Sequence, residues 1–270
     1  MVGGASFDLV FGDDPPIEER SAAVWVDRSA SMITDYYGGS FPVPDLRIEI
    51  VRGSRAGVGF GQHWNGRRLK IRVGPRTSER ELESDWVMVH EMLHACFPDL
   101  PSEQRWMQEG LSTYLEPVVR ARAGNLEPAD VWGKWVRNMD VGQPRAGDRG
   151  LMNTHTWART YWGGALFWLV IDFELRKRTD DAQSLRTALR GIFERGGTAR
   201  VDWTPAEVVA AGDEITGTTV FSDVFERLAL APGTADLDGM WRQLGVVPDG
   251  DAARFDDDAP LAEIRRSMTR

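Results

Sequence analysis

The stretch His90-Glu91-Met92-Leu93-His94 places two histidines four residues apart within a predicted helix. At about 100° per residue, His94 projects only about 40° around the helix from His90, so both imidazoles leave one face. Glu91 projects about 60° beyond His94. Two neutral imidazoles at this spacing can hold Zn²⁺ while the neighbouring carboxylate reaches a metal-bound water. With four histidines in the chain, the pattern is expected by chance in about a few chains per thousand.

A catalytic zinc ion also needs a third protein ligand and an open position for water. No third histidine follows within the next three turns, so a carboxylate from a following helix is the alternative. Asp99 and Glu103 lie in or beside the connecting turn, and Glu116 could be a partner for a histidine or a solvated residue. We favour Glu109, because an antiparallel return of the next helix would bring its first turns over the histidines.

Composition restricts the class of protein. The chain has 270 residues, 42% of them apolar and 27% charged, which indicates a globular protein with a sizeable core. A net charge of −9 argues against nucleic acid as a partner. The longest apolar run, residues 161–171, is too short for a membrane span. Because no leader is present in the chain as given, we expect a soluble protein, cytoplasmic by default and periplasmic or secreted if a leader was trimmed.

The first third of the chain predicts a small mixed sheet. Helical spacing of apolar residues predicts a helix over 17–37. Alternating residues predict strands over 46–51 and 67–73. A further strand candidate over 58–64 meets Asn65-Gly66, a strong hairpin signal, and 67–73 is its return strand.

After Pro75 the pattern is mostly helical. A capping box at Ser78 and Glu81 opens a helix predicted to reach about Phe97. The next helix, capped by Ser102, is predicted to be kinked or broken at Pro117. Further helices are predicted near 156–178, 182–195, 205–211, 222–230 and 235–244. This predicts one α+β domain over 1–270, with a sheet-containing lobe over about 1–97 and a helical lobe over about 98–270.

The metal motif and the segment that follows it resemble a known family. His90–His94 and the segment Trp106-Met107-Gln108-Glu109-Gly110, in which fourteen residues separate Glu109 from His94, are similar to gluzincin metallopeptidases. Among them the chain resembles in particular the glycyl aminopeptidase family and the related alanyl/leucyl aminopeptidase family. The resemblance implies a thermolysin-like catalytic domain, one Zn²⁺ per chain and Glu109 as the third zinc ligand.

Two other segments extend the resemblance. Tyr161-Trp162-Gly163-Gly164 is similar to a segment in which the tyrosine donates a hydrogen bond to the oxyanion of the tetrahedral intermediate. Residues 59–63 fall where these families carry an edge strand ending in a glutamate that binds the substrate amine. Here the position is Gln62, which cannot pair with an ammonium as a carboxylate does. Gly61, Gln62 and His63 are therefore candidate substrate contacts.

His155 and Arg159 are further candidate substrate contacts, although lone histidines are more often structural and a surface ion pair is the commoner role for such an arginine. Cys96 projects away from the histidines and is expected to be a small buried hydrophobe.

The expected function is hydrolysis of a peptide or protein by a zinc-dependent peptidase, aminopeptidase-like, with Glu91 as general base and Tyr161 stabilising the transition state. The open alternatives are a zinc endopeptidase, another acyl hydrolase without a free-amine requirement, and a non-catalytic peptide-binding relative. A further alternative is a helical interaction domain whose histidines bind no metal. The intact Glu91 argues against the non-catalytic relative, because a structural zinc site needs no base.

Overall fold

A computed structural model describes residues 1–64 and 66–270. Asn65, the first residue of the predicted hairpin dipeptide, lies outside the described residues. The chain forms two compact units. The first comprises Met1–Asp99 with Phe193–Asp202, and the second comprises Leu100–Ile192 with Trp203–Arg270.

The first unit contains a four-stranded mixed sheet in the order β1-β2-β4-β3. β1 is parallel to β2, β2 is parallel to β4, and β3 is antiparallel to β4. The predicted alternation is confirmed, because Leu46, Ile48 and Ile50 are buried on one face of the sheet. β1 was not predicted. The strands are β1 (Ser6–Phe11), β2 (Asp45–Arg52), β3 (Val58–Trp64) and β4 (Arg68–Val73).

Three helices complete the described elements of the first unit: α1 (Glu19–Tyr36), α2 (Glu79–Glu83) and α3 (Val87–Ala95). The capping box at Ser78 and Glu81 is confirmed. The single helix predicted from Ser78 to about Phe97 is wrong, because the chain breaks between α2 and α3. Asp85 explains the break: its carboxylate accepts hydrogen bonds from the N–H groups of Val87 and Met88, at 3.0 and 2.9 Å, and so starts a new helix.

The second unit is mostly helical. α4 continues through Pro117 to Arg122, so the predicted alternative of a break there is wrong. Apolar residues on both sides of the proline are buried, and this packing offsets the lost backbone hydrogen bond. The first helices are α4 (Arg105–Arg122), α5 (Pro128–Asn138), α6 (Gly164–Arg178) and α7 (Leu185–Glu194). They are followed by α8 (Pro205–Thr216), α9 (Val220–Val224), α10 (Leu237–Leu244) and α11 (Ala262–Thr269).

Some elements of the second unit were not predicted from the sequence. These are α5, α11 and a two-stranded antiparallel ribbon of β5 (Val246–Asp249) and β6 (Ala252–Phe255). The backbone over Arg159–Gly163 is a π-helix rather than the first turn of the predicted α-helix. The α+β class, with a small mixed sheet before a mostly helical remainder, is confirmed. Within the described residues, no helix is both long and apolar enough to cross a membrane.

Candidate metal centre

The helix α3 is buried along its whole length. Every residue from Val87 to Ala95 is buried, including the polar side chains of His90, Glu91 and His94. Burial of polar groups costs free energy unless they are hydrogen-bonded, paired or bound to a metal. Three such residues on one fully buried nine-residue helix therefore indicate a site rather than a solvated face.

His90 and His94 lie side by side on α3, with ring centroids 5.1 Å apart and planes at 77°. One ligand atom of each histidine and one carboxylate oxygen of Glu109 lie within 4.8 Å of one another. A tetrahedral zinc site uses imidazole nitrogens and carboxylate oxygens at about 2.0–2.2 Å, and three protein ligands leave a fourth position open. The donor set of these three residues fits zinc, and they form a candidate metal site.

Among the residues that the structure describes, the candidate metal site includes none of the other carboxylates that were considered as a third ligand. Glu116 has a different role. Its buried carboxylate pairs with Arg120 at 2.8 Å and with Lys134 at 3.1 Å. Glu103 is exposed, and Asp99 is half-buried.

A glycine contact holds the helix of Glu109 against its neighbour α6. A Cβ added at Gly110 would lie 2.3 Å from the Cα of Gly164, so the two backbones can approach this closely only because both residues are glycines. Trp168 donates to the carbonyl of Met107 at 2.8 Å and strengthens the contact. The turn that carries Glu109 is thereby fixed beside the start of α6.

Tyr161 lies in the π-helix that precedes α6 and is half-buried. Its ring lies 5.8 Å from that of Trp157, which is 65% exposed. π-helical turns are rare and occur frequently at functional sites. Gly142 packs on this turn, since a Cβ there would lie 2.3 Å from the carbonyl carbon of Trp162. Nothing in the sequence pattern pointed to Gly142.

Arg159, at the start of the same π-helix, forms a buried ion pair. Its Nε lies 2.9 Å from Asp148, both side chains are nearly inaccessible, and its Nη1 donates to the carbonyl of Gly142. Burial lowers the pKa of Arg159, and the neighbouring Asp148 opposes that effect. The expected surface ion pair is therefore wrong, because the pair is internal. Asp148 could not be recognised as a partner from the sequence pattern.

The strand β3 places its residues alternately on two faces. Gly61 and His63 pair in register with Ile71 and Leu69, whose side chains are buried, whereas Gln62 is exposed on the other face. His63 stacks on the metal-site helix: its ring centroid lies 5.8 Å from that of His94, with the planes at 24°.

Two residues named from the sequence lie apart from the metal group. His155 is exposed. Cys96 is buried, and its thiol donates to the carbonyl of Met92, in agreement with the small buried hydrophobe that was predicted. Burial raises the pKa of this thiol well above its ordinary value, which is the opposite of what a metal-binding thiolate requires.

No protein-family model matches the sequence, and no curated protein matches it. Solved structures do match. An aminopeptidase N family protein from Idiomarina loihiensis aligns with 92% of this chain and 48% of its own, with a TM-score of 0.69 and 13% identity. An M1 zinc metallopeptidase from Deinococcus radiodurans aligns with 85% of this chain and 48% of its own, with a TM-score of 0.55 and 16% identity.

A variant of a two-domain M1 zinc metallopeptidase, bound to L-tryptophan, also aligns with 85% of this chain and 49% of its own. Its TM-score is 0.55 and its identity 12%. The present chain thus spans about half the length of each of these proteins. The fold is similar to that of M1 zinc metallopeptidases, which confirms the gluzincin-like architecture predicted from the sequence. The likeness concerns the fold, and the chain carries in addition the candidate metal site at His90, His94 and Glu109.

Proposed function

We propose that this chain is a zinc-dependent peptidase that binds one Zn²⁺ through His90, His94 and Glu109 and hydrolyses peptide bonds. The observation that carries the proposal is the grouping of these three ligand atoms within 4.8 Å, with Glu91 on the same buried helix as the two histidines. A structural zinc site needs ligands but no adjacent base, so the presence of Glu91 favours catalysis.

Each residue of the site has a defined task. A zinc ion held by His90, His94 and Glu109 would supply a Lewis acid and a water whose pKa is about 7. Glu91 accepts the proton of the attacking water and then passes it to the leaving amine. Tyr161 donates a hydrogen bond to the oxygen on which negative charge develops, which stabilises the transition state more than the substrate.

The substrate is proposed to be a peptide or protein, with aminopeptidase-like cleavage as the first candidate. The named relatives support this: one is an aminopeptidase N family protein and another is bound to L-tryptophan. His63 and His155 remain candidate substrate contacts, whereas the internal pair with Asp148 does not favour such a contact for Arg159.

A second candidate is a peptidase or acyl hydrolase without a free-amine requirement. The observation that favours it is Gln62, which is neutral and lies on the exposed face of β3, opposite to Gly61 and His63. Matched peptides with free and N-acetylated termini distinguish the two candidates. An amine anchor predicts a large preference for the free peptide, whereas equal cleavage of both indicates that no such anchor exists.

Zinc content and peptidase activity, measured on the same samples, test the proposal. Glu91→Gln is expected to keep the zinc and to lower kcat by about 100- to 10,000-fold, because it removes the base but no ligand. Glu109→Gln is expected to lose zinc, while Glu103→Gln, an exposed carboxylate outside the metal group, keeps both zinc and activity. Full activity in zinc-loaded Glu91→Gln would contradict the assignment of the base, and a zinc-loaded but inactive parent protein would favour a peptide-binding relative.

A further inference from the structure

Gly61 on β3 lies directly against the side chain of Glu91. A Cβ built at Gly61 would lie 2.4 Å from Cγ, 2.6 Å from Oε1 and 2.7 Å from Cδ of Glu91. Cβ atoms do not approach other atoms this closely, so any residue other than glycine forces one of the two groups to move. Glu91 is only 8% exposed, which leaves its side chain little free space.

A β-bulge in β3 brings Gly61 to the face of the strand that contacts Glu91. The pairing of β3 with β4 shifts between Val58 and Gly61, because three steps along β3 correspond to two along β4. Such a bulge changes which residues of a strand face a given side. After the bulge, Gly61 and His63 are on one face, with Glu91 against the first and His94 stacked on the second.

We propose that Gly61 is a positioning residue that sets where the Glu91 carboxylate lies, by leaving vacant the volume that a Cβ would occupy. This inference rests on the proposed function, because it assigns to Glu91 the role of base. Gly61 acts here through Glu91, whereas the sequence predicted that it contacts substrate. The edge strand thereby limits where the side chain of the proposed base can lie.

The structure gives the size of the expected effect. An ordinary contact between a Cβ and another carbon is 3.4–4 Å, so Cγ of Glu91 must retreat by about 1 Å when Gly61 becomes alanine. A displacement of about 1 Å in a catalytic group can lower a rate by about 100-fold. The zinc ligands are unchanged by this substitution, so zinc content is expected to equal that of the parent protein.

Gly61→Ala is therefore expected to lower kcat by about 100-fold with KM changed by less than about twofold. The matched control is Gly212→Ala on α8, where a Cβ would lie 2.5 Å from the ring of Phe221, outside the metal group. In that variant the added methyl group is equally crowded, and kcat per bound zinc is expected to equal that of the parent protein. A kcat within about threefold of the parent in Gly61→Ala would overturn the proposal.

Thermal unfolding tests whether a Cβ at residue 61 collides with the side chain of Glu91, and this test does not require peptidase activity. Overpacking by one methyl lowers Tm by about 5 °C in a chain of this size, so Gly61→Ala is expected to show such a loss. In a Glu91→Ala background the colliding atoms are gone, and Gly61→Ala is expected to cost less than about 1 °C.

An equal loss in both backgrounds overturns the proposal, as does a double variant that fails to fold when Glu91→Ala alone folds. If Gly61→Ala alone fails to fold while the double variant melts like Glu91→Ala, the proposal is supported. A parent protein that binds zinc but cleaves no peptide removes the proposed function, and the Tm cycle still decides whether Gly61 fixes the side chain of Glu91.

Discussion

Asp85 starts the metal-site helix, and its removal offers a quantitative test of how that helix is held. Asp85 is 8% exposed, and three of the hydrogen bonds that its carboxylate accepts bear on this helix. Two come from the first N–H groups of α3, at Val87 and Met88, and the third comes from Nε1 of Trp25 on α1 at 3.2 Å. Trp25 is 1% exposed, so its N–H has no access to bulk water.

The cost of Asp85→Ala can be worked out from these contacts. Loss of a side chain that caps a helix destabilises a protein by about 1 kcal/mol. A buried N–H left without its acceptor, here that of Trp25, costs about 1–3 kcal/mol more. The expected loss in the free energy of unfolding is therefore about 2–4 kcal/mol.

Urea unfolding followed by circular dichroism measures this loss. Ser78→Ala is the matched control, because it removes an exposed cap of α2 and orphans no buried donor, and about 1 kcal/mol is expected. Asp85→Asn retains one acceptor oxygen and is expected to lie between the two. Zinc content is expected to be unchanged in all three variants. A loss below about 1 kcal/mol in Asp85→Ala would refute the reasoning that these hydrogen bonds hold α3.

Two further predictions concern ionisable groups of the first unit. Cys96 is buried and its raised pKa keeps the thiol protonated, so iodoacetamide at about pH 8 is expected to label it only after denaturation; rapid labelling of the native protein would contradict this. The hydrogen bond from Arg200 lowers the pKa of Asp45 below its ordinary value of 3.8. Because the pKa of Asp45 is lower in the folded state, its ionised carboxylate stabilises that state at pH values above 3.8. This stabilisation is lost as the pH falls through the lower pKa of the folded state. The urea midpoint of Asp45→Asn is therefore expected to fall less than that of the parent between about pH 6 and about pH 3, and equal falls would contradict this.

The parts of the fold that the sequence predicted well are those with a local signal. Strands β2 and β4 alternate in polarity, and their buried residues lie on one face of each strand. The predicted capping box at Ser78 and Glu81 spans only four consecutive residues and is present in the structure, as is a second one at Thr204 and Glu207. The two histidines of α3 share a face because helical periodicity alone dictates it.

The failures have physical causes that lie outside any short window of sequence. The break between α2 and α3 depends on Asp85 finding both backbone donors and the distant Trp25. The internal pair of Arg159 with Asp148 joins residues from separate segments, so spacing could not distinguish it from a surface pair. The π-helix around Tyr161 was missed because its extra residue per turn leaves no periodic signal over five residues.

The geometry of the candidate site depends on glycines whose positions the sequence patterns did not explain. Gly61 borders the proposed base, and Gly110 follows the proposed third ligand and lies against Gly164. At each of these positions a Cβ would come within 2.4 Å of a neighbouring atom. A sequence pattern does not mark such glycines as parts of a site, because glycine has no side chain that could take part in the chemistry. The chemistry of this site can therefore be read from its histidines and carboxylates, whereas its geometry depends on glycines that let the strand and helices approach them. Substitution of a carboxylate tests the chemistry, and substitution of its neighbouring glycine tests the geometry with every reacting group still present.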